Sequence, residues 1–125
     1  MGLRRALAAP VLAAALVASL ACSGGGPSQP PPGQQIVDIR LTSGLRFSSA
    51  DVTIDPGTTI RWVNDGAIFH TVTPNDPNQA GVWNRTETTS AGVVLTHTFT
   101  TSGQTYAYHC EPHVSMGMTG VIRVR

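Results

Sequence analysis

Residues 97–124 read HTFTTSGQTYAYHCEPHVSMGMTGVIRV, and this stretch decides the fold. Upstream, Val93–Thr100 alternates, with Leu95, His97 and Phe99 on one face. Ser102-Gly103 then turns the chain, and Thr105–His109 resumes in extended form. Val121-Ile122-Arg123-Val124 closes the sequence in the same pattern. A period of two with β-branched and aromatic residues marks strands, because successive side chains point to opposite faces. Between the last two strands, Cys110-Glu111-Pro112-His113-Val114-Ser115-Met116-Gly117-Met118 crowds a thiol, an imidazole and two thioethers into nine residues.

Working outward, His70-Thr71-Val72-Thr73 is a short strand that stops at Pro74. Thr59-Ile60-Arg61-Trp62-Val63-Asn64 precedes it and breaks at Asp65-Gly66. Val52-Thr53-Ile54 runs into Asp55-Pro56-Gly57, a strong turn signal, and Ile36–Leu41 partly alternates. Residues 74–92 are polar and irregular and read as a long connection. Short strands at this spacing predict an all-β domain, an antiparallel sandwich or barrel, over residues 36–125. The pattern contains no amphipathic helix and no internal repeat. Phe47, Trp62 and Phe99 are core candidates, whereas Trp83 fits core or rim equally.

Cys110 has no partner for a disulfide inside this domain, because the only other cysteine is Cys22. Its neighbours suggest a metal instead. Cys110, His113 and Met118 form C-x-x-H-x-x-x-x-M, and a second histidine, His70, lies forty residues earlier at a strand start. Two imidazoles, a thiolate and a thioether are the ligand set of a blue-copper site. A structural zinc site is disfavoured by the thioether. His97 shares its face with Leu95 and Phe99 and is expected to pack rather than ligate. His109 precedes Cys110 on a strand, so it should point away from the site. Met116 is the competing axial sulfur, but Gly117 allows a tight bend that delivers Met118 to the start of the last strand.

These residues resemble a cupredoxin of the plastocyanin type, similar also to pseudoazurin and halocyanin. The likeness covers about 36–125 and rests on VTIDPGTTIRWVN before His70 and on the segment quoted first. It implies a Greek-key β-sandwich of about eight strands and one type 1 Cu(I)/Cu(II) ion held by His70, Cys110, His113 and Met118. Thr71 stands where plastocyanins usually carry an asparagine that ties the two ligand loops together. Its backbone N–H is, by the same resemblance, a donor to the thiolate. Pro112 lacks an N–H and withholds another. The implied function is electron shuttling between redox protein donors and acceptors, with no catalysis. The alternative is a copper protein for storage or delivery. Copper oxidases and nitrite reductases need further histidine clusters, and this chain has four histidines in all.

The remaining sequence concerns location. Met1–Arg5 carries two arginines, and Ala6–Ala21 runs without a charge, too short to span a bilayer. This reads as a secretory signal over residues 1–21, and Ser19-Leu20-Ala21-Cys22 resembles a lipoprotein cleavage site. The Gly/Pro/Ser-rich segment 22–35 reads as a linker, with Cys22 the expected lipid anchor. An exported protein tethered in the periplasm or on the outer side of the cell membrane, monomeric, is therefore expected. From Cys22 onward six arginines face seven carboxylates, a net charge of −1, and lysine is absent. With no basic cluster, nucleic-acid binding has no electrostatic support. Nor is a small-molecule substrate expected.

Overall fold

The computed structural model describes residues 35–125. The expected signal segment and linker, with Cys22, lie outside the described residues. Eight strands form: β1 (Ile36–Leu41), β2 (Asp51–Ile54), β3 (Thr58–Asn64), β4 (His70–Pro74), β5 (Thr86–Thr88), β6 (Gly92–Phe99), β7 (Thr105–His109) and β8 (Thr119–Val124). They make two sheets, ordered β1-β3-β6 and β2-β8-β7-β4-β5. The expected all-β sandwich of eight strands is present.

The sheets are mixed rather than purely antiparallel. β1 pairs with β3 and β2 with β8 in parallel, and the other pairings are antiparallel. Alternation identifies a strand and its buried face, but not its neighbour. Here β2 leaves β1 for the other sheet and the chain returns as β3, so β1 and β3 run the same way. A second correction concerns residues 74–92. They include β5, which pairs with β4, and they bury Trp83 to 4% exposure. Three residues are too few for a period to show.

Turns behave as their residues dictate. The Thr58 N–H donates to the Asp55 carbonyl across Pro56-Gly57, with Gly57 at φ 89°. β6 carries one extra residue, Val94, where its register with β3 shifts between Trp62 and Val63.

The core lies between the sheets. Ile39, Leu41, Ile60, Trp62, Val72, Tyr108 and Ile122 are fully buried. Burying each large side chain contributes about 1.5–3 kcal/mol. Trp83 sits at the centre of an aromatic cluster. It packs at 4.9 Å from Trp62, 5.6 Å from Tyr108 and 5.8 Å from Phe99, centroid to centroid. Its indole N–H donates to the Val72 carbonyl at 3.3 Å. That bond ties the long connection to β4, whose first residue is His70.

Candidate metal centre

β4 and β7 lie side by side and present the site residues at one end of the sandwich. Along β7 and into the next residue, Tyr106, Tyr108 and Cys110 are buried while Ala107 and His109 are half-buried on the other face. The alternation expected for His109 therefore holds, and its Nδ1 lies 2.6 Å from Asn75 Oδ1. His97 also behaves as expected, packing 4.8 Å from Phe99 with its Nε2 2.7 Å from the Gly81 carbonyl.

After Cys110 the chain forms a 3-10 helix, Glu111–Met116, that the apolar pattern did not reveal. A proline in its first turn and Gly117 at its end in the left-handed region, φ 84°, are its local signals. This compact turn folds the segment back on itself. The His113 N–H donates to the Cys110 carbonyl, the Met118 N–H to the His113 carbonyl and the Cys110 N–H to the Met118 carbonyl, at 3.1, 3.2 and 3.0 Å. Met118 is fully buried, whereas Met116 is 51% exposed.

The fold brings His70, Cys110 and His113 together, with their donor atoms all within 4.8 Å of one another. Cys110 Sγ lies 3.3 Å from His113 Nδ1 and 3.6 Å from His70 Nδ1. Metal bonds to imidazole and thiolate of about 2.0–2.3 Å place two donors roughly 3.5 Å apart around one tetrahedral ion. The spacing therefore fits a single shared metal. His70 Nε2 is buried without a hydrogen-bond partner. Burial pushes the His70 pKa down from 6.5, and the nearby His113 adds to this, with the Thr42 backbone opposing. Burial thus favours the neutral ring, the form that ligates.

Thr71 ties the two ligand segments twice. Its backbone N–H points at Cys110 Sγ at 3.3 Å, and its hydroxyl oxygen accepts the Glu111 N–H at 2.8 Å. The Thr73 hydroxyl donates to the same oxygen at 3.0 Å. A β-branched hydroxyl thus does work expected of a longer amide side chain. Sequence reasoning missed Thr73 and a further clamp. Arg85 forks onto Glu111 and also reaches Glu87 at 2.7 Å, joining the metal loop to β5. The Arg85 guanidinium holds the Glu111 carboxyl below its usual range. Opposite charges at residues 85, 87 and 111 were the only signal for this contact.

A buried thiol facing two imidazoles at one end of an eight-stranded sandwich defines a cupredoxin-type metal centre. Residues 35–125 match the family of copper binding proteins described as plastocyanin/azurin, and the chain belongs to that family. It is 33% identical to the plastocyanin of Scenedesmus fuscus over 87 residues, covering 65% of this chain and 88% of that one. The fold matches the purple cupredoxin from Nitrosopumilus maritimus with a TM-score of 0.56 at 24% identity, covering 70% of this chain and 98% of that one. Amicyanin from Paracoccus versutus matches with a TM-score of 0.55 at 23% identity, covering 72% and 81% of the two chains. At those identities the two structures show the fold alone. Copper is the metal of the family, and the donor set found here suits it.

Proposed function

We propose that this cupredoxin is a single-electron carrier whose copper is held by His70, Cys110, His113 and Met118. The observation that carries the reading is the pair of imidazole Nδ1 atoms 3.3 and 3.6 Å from one buried cysteine sulfur. A copper ion bound there would accept and release one electron. Thiolate and thioether favour Cu(I), and imidazole serves both oxidation states. The surrounding residues supply rigidity. Thr71 locks the sulfur and the backbone of Glu111, the 3-10 turn fixes His113 against Met118, and the core excludes water. A site that barely moves between oxidation states needs little reorganisation for each transfer.

The same proposal places the domain outside the cytoplasmic membrane, tethered through an acylated Cys22. Its support is the charged start, the short apolar run and the cysteine at a lipoprotein-like cleavage site.

The test is the visible spectrum and voltammetry of the oxidised, copper-loaded protein. An intense thiolate-to-Cu(II) band and a reversible one-electron wave are expected, with slow copper release to a chelator. Cys110→Ser should lose both signals while keeping a cooperative unfolding transition. A coloured, redox-active Cys110→Ser protein overturns the site, and rapid copper release favours delivery over electron transfer.

A further inference from the structure

Among the described residues, five arginines are paired with carboxylates, and Arg46 alone is outside any ion pair. Arg46 does not lie at a neutral spot. Its guanidinium carbon and one terminal nitrogen stand 3.8 Å from where a side chain on Gly117 would begin. It therefore rests against the loop that carries His113, Met116 and Met118.

The backbone holds it there. The Arg46 carbonyl accepts from both the Thr42 N–H and the Thr42 hydroxyl, each at 3.0 Å. The Leu45 N–H donates to the Thr42 carbonyl at 3.0 Å, and the guanidinium donates to the Leu45 carbonyl at 2.9 Å. Leu45 itself takes φ 56°, a left-handed conformation that a branched side chain disfavours and the described non-glycine residues otherwise avoid. Such strain persists only where the surroundings impose it. The result is a cation held against Gly117, in the loop whose Val114 and Met116 are exposed.

The opposite flank has the other sign. Arg46 pairs back onto Thr42 beside the Leu41–Phe47 bridge, at the β1 edge of the three-stranded sheet, whereas Glu87 lies on β5, which packs against β6, the opposite edge of that sheet. There Arg85 is shared by Glu87 and Glu111, leaving one negative charge in excess. An approaching anion is thus drawn to the Arg46 side of the apolar rim and turned away from the β5 side. Fixed charges at a rim steer encounter and set orientation more than they add affinity.

We propose that the metal-loop end of this protein docks partners that present a carboxylate-bearing surface, with Arg46 as the residue that receives it. This rests on the electron-carrier reading for the partner's being a redox protein, but the charge recognition does not require electron transfer.

The test uses the Cu(I) protein and a redox-inert paramagnetic anion, hexacyanochromate(III), with hexaamminechromium(III) as the cationic counterpart. The anion should broaden the amide resonances of Arg46, Val114, Met116 and Gly117, and Arg46→Gln should abolish this. Arg125→Gln removes the same charge from the far end of β8 and should leave the broadening unchanged. In parallel, electron exchange with hexacyanoferrate should slow about threefold or more at low ionic strength in Arg46→Gln, with an unchanged visible spectrum. Equal broadening in Arg46→Gln and wild type, or broadening of these amides by the cation, overturns the proposal. Arg46-dependent broadening in a protein with no redox wave supports the docking surface and defeats the electron-carrier reading.

Discussion

At the residue scale, His113 and two nearby methionines share one loop, and burial separates the two sulfurs. Met118 is fully buried, with its backbone bonded to both Cys110 and His113, whereas half of Met116 faces solvent. An axial thioether favours the reduced ion. Met118→Gln is therefore expected to lower the reduction potential and change the spectrum with copper retained. Met116→Gln should leave both nearly unchanged, and voltammetry of the two variants decides. His70 carries a second prediction. Its folded pKa lies below 6.5, so the copper-free unfolded chain binds a proton before the folded chain does. Stability of the copper-free domain should hold above about pH 6.5 and fall as the pH drops below it. Thermal unfolding between pH 8 and 5 measures the slope, which should flatten in His70→Gln and shift to lower pH when copper occupies the neutral ring.

At the element scale, β7 and β8 are packed more tightly than their sequences reveal. A Cβ on Gly120 would lie 2.2 Å from Tyr108 Cζ and 2.4 Å from its hydroxyl oxygen. The tyrosine ring, 4.7 Å from Phe47 and 5.7 Å from Trp62, has little room to retreat. Gly120→Ala is expected to destabilise the domain by about 1–3 kcal/mol or more through overpacking. Denaturant unfolding should show that loss, and adding Tyr108→Leu should recover part of it. The Tyr108 hydroxyl is itself buried without a partner, and burial pushes its pKa up, so the ring remains protonated. The strands on either side of Cys110 were legible because alternation over several residues leaves a pattern. The 3-10 turn and β5 were not, since neither is long enough to repeat a period. Nor does the sequence show why residue 120 is glycine, because close approach of a ring depends on the partner strand.

At the scale of the whole molecule, the metal loop and the start of the first described strand lie at opposite ends of the sandwich. β1 begins at Ile36 opposite Thr59 and finishes at Leu41 opposite Asn64, whose side-chain amide donates to the Ile68 carbonyl near His70. The described chain thus starts at the end remote from the metal loop. If Cys22 is acylated, the wild-type protein should fractionate with membranes. Cys22→Ser should move the protein to the soluble fraction with the copper spectrum unchanged. Soluble wild type with an unmodified mature N-terminus would leave plain secretion. By itself, the sequence determined the strand faces, the core aromatics Phe47, Trp62 and Phe99, and the donor types in the Cys110–Met118 loop. Those follow from local periodicity and from side-chain chemistry, which neighbours along the chain already express. Only the tertiary structure decided that β1 pairs with β3 and β2 with β8 in parallel, that Trp83 is core, and that the Thr71 hydroxyl holds the metal loop at Glu111. It also placed Arg46 against Gly117. Each of these joins residues far apart in sequence, and their meeting depends on the order in which strands cross between sheets, which no local spacing encodes.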